Sequence, residues 1–508
     1  MIFNNIHDQN NDDELLSEKL TLCWHYLYGD DKEDVLNNFV ERVKSYKTTL
    51  QFNDYHGECW YKNAVVYALY VDKFNKDFFG LADKFDYLKH LGVNCLWLLP
   101  ILQSPMRDGG FDISDYRRVR PSLFGLSDDE GAKSNQLFKD FVRQAHDNGF
   151  KVIFDIAMNH CSDKNAWFES AVADKESPYR DYFIWNDTPD KYSGARVIFK
   201  GMSTGNWTRV GDQYYFHRFF GFQPDLNYRN SVVLLEIADI LLYWLSYGVD
   251  GFRADAIPFL WKEEGTDCEN LPQTHVILKF LRSVIDYVSP GTLLLAEAVQ
   301  KPADIAKYLT VKKHRDDVVE LDNIAECNGA YNFPLMTMIF KAIACNCDEP
   351  IKEVLKSTPE ISSNSQWFTL LRCHDEFSLE GVFVSEEDRR LLREHFCTNP
   401  LWKFREGEGI ASRLSEMMQM DADKIIKCFE ILFSLNGTPV IYYGDEFGMR
   451  NDERYYHHCK SVTGNDDSRY LIRGPIDWDE VELKLADETG AARKIFNAVA
   501  RLIAGSEV

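Results

Sequence analysis

Apolar positions change rhythm along this chain, and the change divides it. In the first 58 residues Leu15, Leu16, Leu20, Cys23, Trp24 and Leu27 recur at helical spacing, and Gly29 follows them. That pattern predicts a helix with one buried stripe, ended by the residue best suited to a left-handed cap. Val35, Leu36, Phe39, Val40 and Val43 predict a second helix. Helices this short are marginal alone, so the pair is expected to pack on a larger body. From Tyr67 onward, short β-rich apolar runs alternate with amphipathic stretches. Strands are predicted at 65–70, 93–99, 152–156, 250–254, 293–296, 367–371 and 439–443, with a weaker eighth near Tyr331-Asn332-Phe333. Helices are predicted between them, for example at 135–147 and 232–247, and a last one at 491–504. About eight such units imply an α/β fold, a closed (β/α)8 or TIM barrel. An open doubly wound sheet is the alternative, but no G-x-G-x-x-G follows the first strand.

One interval is too long for a plain connection. Between His160 and Asn227 lie some 65 residues rich in aromatics, Asp, Gly and Asn. Segments of that length inside a domain are usually functional or form a subdomain. The expected organisation is therefore an N-terminal helical extension at 1–58, a barrel at 59–160 and 227–508, and a lid subdomain at 161–226 inserted after strand 3.

Composition narrows the function classes. The net charge is −23, and no basic arm is present. Nucleic acid and anionic membranes repel such a surface, so neither is an expected partner. The N-terminus lacks a basic stretch followed by an apolar one, and no apolar run approaches the length that spans a bilayer. A cytoplasmic enzyme is expected. The 12 cysteines have no repeated spacing and read as reduced thiols. His457, His458 and Cys459 are read as an exposed loop, since no second cluster completes a metal site.

Candidate chemistry sits at the ends of the predicted strands. Asp255 closes GFRAD, Glu297 follows LLLA, and Asp375 follows LRCH. Side chains there point at the mouth of a parallel barrel, where such folds do chemistry. Three converging carboxyls suit glycoside cleavage: one attacks, one lends and recovers a proton, and one steadies the cationic transition state. Strand alternation puts Arg253 on the same face as Asp255, where its charge favours an ionised neighbour. Glu297 follows four apolar residues, surroundings that favour a protonated acid.

Read with its neighbours, the chain resembles the alpha-amylase family, glycoside hydrolase family 13, from about Trp60 to Trp478. The likeness is carried by WLLP (97–100), GGFDISDY (109–116), DIAMNH (155–160), QPDLN (223–227), GFRADA, AEA, HDE and GTPVIYYGDEFGM (437–449). EGTDCENLPQTH (264–275) and FHRFFGFQPDLN are similar to the trehalose synthases within it. The resemblance implies Asp255 as nucleophile, Glu297 as acid/base and Asp375 as transition-state stabiliser. It further implies sugar-binding roles for Asp108, Phe111, His160, Arg253 and His374, and an Asp108–Arg473 ion pair that closes the glucose subsite. The implied reaction turns maltose into trehalose without releasing the glucose. A hydrolase of short α-glucosides, another glucosyltransferase such as a sucrose-acting one, and an inactive sugar-binding homologue are the alternatives. The implied partner is a small disaccharide, and a homo-oligomer is compatible with the sequence.

Several positions depart from the family. Phe111 stands where Tyr is usual, and Cys373 where relatives have Asn. No cofactor is required by the implied chemistry. A structural calcium would use Asn159 and Asp225, but its third carboxylate is here Lys262, whose ammonium could fill the space and pair with Asp225. The stretch 450–472 differs from its trehalose synthase counterpart and precedes Arg473. The C-terminal β-sandwich usual in the family is not predicted.

Overall fold

The computed structural model describes residues 2–53, 55, 58–309 and 319–505. Eight parallel strands close into a barrel: β1 Val66–Leu69, β2 Cys95–Leu98, β3 Lys151–Ala157, β4 Gly251–Asp255, β5 Leu293–Ala296, β6 Gly329–Tyr331, β7 Gln366–Leu370 and β8 Thr438–Tyr442. Each pairs with its neighbours in chain order, and β1 pairs with both β2 and β8. All residues of β1, β2 and β5 are buried. Strands covered on both faces lose the alternating pattern and read as continuous apolar runs, which is why periodicity found them. β6 is only three residues long, and its expected position was late by about two residues.

Amphipathic helices cover the outside. α1 Ile2–Tyr28 and α2 Glu33–Thr49 form the N-terminal pair. Around the barrel lie α3 Gly131–Asp147, α4 Ser231–Leu245 and α5 Pro272–Val288, and α6 Ala491–Gly505 is the last helix described. α4 starts where the Asn230 side chain accepts from Val232 N–H, satisfying one of the first-turn donors. Leu16, Leu20, Cys23 and Trp24 of α1 are buried, and α1 packs along α5. The Phe39 and Phe280 rings sit 5.8 Å apart, and Arg42 pairs with Asp239 at 2.5 Å. A side chain the size of Trp24, fully buried, contributes on the order of 3 kcal/mol, so the extension is part of the packed body.

The interval 161–226 contains a helix, Ala166–Ala173, and a three-stranded antiparallel sheet of Trp185–Asn186, Gln213–Phe216 and Trp207–Val210. A bridge between His160 and Asp225 ties its return to the end of β3, and one between Phe183 and Leu226 lies within it. A second small sheet joins Phe377–Ser378, Gly409–Ile410 and Lys403–Phe404. The 450–472 stretch is not a loop. It holds a helix, Glu453–Thr463, and a 3-10 turn, Ser468–Ile472. His457, His458 and Cys459 therefore lie on a helix, and they are in none of the metal-ligand groupings among the described residues.

Candidate active site

The C-terminal ends of the strands converge on one small cavity of about 120 Å³. Asp108, Phe111, His160, Asp255, Glu297 and Asp375 line it, while Arg253, His374 and Arg473 sit behind that surface. The barrel register explains part of this. Asp155 and Arg253 are cross-strand partners, and Arg253 Nη1 donates to Asp155 Oδ1 at 2.6 Å and to Asp255 Oδ1 at 2.7 Å. The other arm of the guanidinium pairs with Glu297. One arginine thus ties together three carboxylates from β3, β4 and the end of β5. Trp97 Nε1 completes the layer by donating to Asp155 Oδ2 at 2.8 Å.

Ala256, directly after Asp255, has φ of 56°, a left-handed conformation that strains a residue with a Cβ. The turn aims its N–H at Glu297 Oε2, 3.0 Å away. The same bend that ends β4 therefore fixes Glu297 relative to Asp255.

The three carboxyls occupy different electrostatic settings. Burial pushes Asp255 up to about 6, with Arg253 opposing. Burial holds Glu297 well above the usual glutamate range; Arg253 opposes, and the negative charges of Asp255 and Asp375 add to the rise. For Asp375, burial is outweighed by His374, Arg469 and Arg473, and the carboxyl is held well below its ordinary value. His374 is itself pulled down to about 4 by burial, so near neutrality the two guanidiniums carry the effect. They donate to Asp375 Oδ1 at 3.0 and 3.1 Å. Burial also lowers His160 to about 4, leaving a neutral imidazole. Near neutral pH an ionised Asp255, a protonated Glu297 and an ionised Asp375 are the states a displacement with proton transfer needs.

The expected Asp108–Arg473 pair is corrected. Asp108 Oδ1 accepts from Arg469 Nη2 at 2.8 Å, and Asp108 Oδ2 accepts from Gln223 Nε2 at 3.0 Å. Arg473 instead holds the Asp375 carboxylate and donates to the His374 carbonyl at 2.9 Å. The reason is the 3-10 turn at Ser468–Ile472, which brings Arg469 into the cavity wall and leaves Arg473 behind it. Arg469 is 3% exposed and also pairs with Asp467 at 2.7 Å. Phe111 stacks on His374 with centroids 5.2 Å apart, so its ring is fixed without a hydroxyl.

The expected calcium site does not fit this donor set. Lys262 Nζ lies 2.8 Å from Asn159 Oδ1 and 2.8 Å from Asp225 Oδ2. Asp225 and Asn159 are fully buried, and the ammonium already uses the oxygens a cation would need.

Ion pairs bridge the rim of the cavity. Arg196 of the inserted segment binds Glu269 at 2.7 Å and Glu380 at 2.9 Å, and Arg218 also pairs with Glu269. Arg405 joins Glu380 at 2.9 Å to Glu376 at 2.5 Å. Ile198, Phe199, Phe219 and Phe259 supply an apolar wall. Neither Arg196 nor Arg405 was singled out in the sequence, where a lone arginine in a polar loop carries no signal.

Among the described residues no helix is long and apolar enough to cross a membrane. The model of the alpha amylase catalytic domain matches residues 49–407 and 386–489. The trehalose synthase/amylase of Mycolicibacterium smegmatis is 43% identical over 399 residues, covering 77% of this chain and 64% of that protein. The trehalose synthase of Thermus thermophilus is 42% identical over 432 residues, covering 83% of this chain and 41% of that protein. This chain thus spans less than two thirds of the length of either relative. Among solved structures, the sucrose 6F-phosphate phosphorylase of Thermoanaerobacter thermosaccharolyticum superposes with a TM-score of 0.70 at 17% identity over 87% of this chain and 86% of that one. Barrel, strand-end carboxyls and family match agree, and this chain belongs to the alpha-amylase family.

Proposed function

We propose that the chain isomerises maltose to trehalose through a covalent glucosyl intermediate. In this reading Asp255 attacks the anomeric carbon as Glu297 protonates the departing glycosidic oxygen. The freed glucose turns within the pocket, Glu297 takes back a proton from its anomeric hydroxyl, and that oxygen displaces Asp255. Two inversions give net retention. Asp375, held ionised by Arg469 and Arg473, offsets the positive charge that develops on the ring. His160, Arg253 and His374 orient the sugar, and Asp108 with Arg469 closes its inner end.

The observation that carries the reading is the meeting of Asp255, Glu297 and Asp375 in one small cavity. The cavity is about 120 Å³, below the roughly 300–1,000 Å³ of open ligand pockets. In this reading the rim ion pairs part to admit a disaccharide and close over it, so that bulk water is shut out while the intermediate waits. Glucose trapped beside it has an effective concentration that dissolved water does not match in orientation. The curated relatives at 43% and 42% identity support the same substrate class.

The test is product analysis after separate incubations with maltose, trehalose and sucrose. Interconversion of maltose and trehalose with little glucose supports the proposal. Glucose as the main product makes the chain an α-glucosidase instead, and no turnover of any of the three overturns the reading.

A further inference from the structure

Three consecutive residues after β7 bring together a thiol, an imidazole and a carboxylate. Cys373 Sγ, a ring nitrogen of His374 and a carboxylate oxygen of Asp375 all lie within 4.8 Å of one another. Cys373 and Asp375 line the cavity, so a small solute inside it reaches them directly. His374 is 1% exposed, and neither of its ring nitrogens has a hydrogen-bond partner. Its Nε2 is 3.0 Å from Asp375 Oδ2, close in distance but not aligned as a hydrogen bond. Arg469 and Arg473 both hold Asp375 Oδ1, which leaves Oδ2 facing His374 Nε2.

We propose that Cys373, His374 and Asp375 form a binding site for a borderline-soft divalent cation, zinc being the type ion, inside the sugar pocket. Thiolate, imidazole and carboxylate are the three donor types zinc prefers, and the fourth position of a tetrahedral site faces the cavity, where water or a sugar hydroxyl fills it. Tetrahedral coordination sets donor atoms about 3.5 Å apart, so the cluster closes on an ion by side-chain rotations of about an ångström. The lining as a whole is acidic, with six carboxylates against three guanidiniums, although Arg469 and Arg473 both sit on Asp375 itself. Coordination replaces the S–H bond by an S–Zn bond and releases one proton to solvent, so binding tightens as pH rises. Because Asp375 serves both ion and sugar, the two exclude each other. That consequence rests on the sugar reading, but the site itself does not.

The chain would be titrated with zinc in a calorimeter and with cobalt as a spectroscopic probe. We expect one ion per chain and a thiolate-to-cobalt charge-transfer absorption. Cys373→Ser should weaken zinc by more than the roughly 10–100-fold that loss of a mere supporting partner costs. Circular dichroism checks its folding, and Cys373→Asn serves as a second variant. Cys345 and Cys347 are exposed thiols, so Cys345→Ser/Cys347→Ser must leave binding intact. No stoichiometric binding, or binding lost with the exposed pair and kept without Cys373, overturns the proposal. Glucose should displace zinc. If glucose fails to bind the metal-free protein, the sugar reading fails, and the Cys373 variants still judge the ion site.

Discussion

Lys262 offers the sharpest test of how the inserted segment is held. Its ammonium joins Asn159 at the end of β3 to Asp225 on the return from the insert, and it arises just after β4, so three pieces of chain meet on one Nζ. Lys262 is 4% exposed and Asp225 fully buried. Lys262→Met keeps most of the volume and removes the charge. Asp225 then retains one backbone donor, Arg218 N at 2.8 Å, for a fully buried carboxylate. Breaking a buried pair on one side costs about 3–5 kcal/mol. If that cost falls on docking of the insert, its open population rises by roughly 10²–10⁴-fold. Limited proteolysis should then cut within 161–226 much faster, and the urea midpoint should fall. Wild type should be indifferent to EDTA, because the lysine stands where calcium would. Lys262→Asp restores a third carboxylate and should regain stability in calcium chloride. An EDTA-sensitive wild type, or a Lys262→Met protein as resistant to protease as the parent, would refute the assignment.

Asp255→Asn should abolish turnover of maltose while leaving the unfolding midpoint near wild type; residual wild-type rates would remove Asp255 from the attacking role. In the pH profile of kcat/KM, Asp255 at about 6 must be ionised, so the rate should fall as pH drops through that value, and Glu297 must be protonated, so it should fall again on the alkaline side. A flat profile from pH 5 to 7 would contradict the acid limb. Arg469→Ala strips a charged partner from both Asp108 and Asp375, contacts worth about 1.5–3 kcal/mol each. The expected result is a fall in kcat/KM for maltose of at least about tenfold with more free glucose among the products, and an unchanged product ratio would argue against Arg469 as the pocket's inner wall. Glu446 is fully buried between Tyr67 and Tyr87, which donate to Oε1 at 2.6 and 2.7 Å, and burial lifts it from 4.5 to about 7. A raised carboxyl stabilises only while protonated, so its contribution is lost as pH rises from about 4.5 through 7, about 3 kcal/mol in total. Glu446→Gln should therefore gain stability relative to wild type as pH rises across that window, as read from urea midpoints, and a difference that does not change with pH would refute it.

The barrel was legible because its strands are buried on both faces. Runs such as LLLA and CLWL can only be interior strands, and the helices between them carry a single apolar stripe. Strand-end carboxyls were legible for a related reason. Glu297, placed immediately after four apolar residues, has nowhere to go but the mouth of the barrel. β6 was faint because three residues give too short a sample of any period. The Glu453–Thr463 helix was missed because its composition, rich in Tyr and His with one aliphatic residue, buries little and so lacks a stripe; within it Tyr456 is the one buried side chain.

Arg469 and Arg473 show where pattern reading stops. They are four residues apart in DDSRYLIRG, the spacing of one helical turn, and both are buried. Either could face Asp108 from sequence alone. What decides is that Ser468–Ile472 forms a 3-10 turn, with three residues per turn instead of 3.6. Positions four apart then point about 120° away from each other rather than lying on one face. Arg469 enters the cavity wall and bridges Asp108 to Asp375, while Arg473 passes behind to brace Asp375 and the His374 carbonyl. A difference of a fraction of a residue per turn, which no apolar period encodes, thus selects which arginine closes the pocket. The carboxyls follow from strand ends that burial dictates, and the residues that set their charge follow from loop geometry that only the folded chain defines.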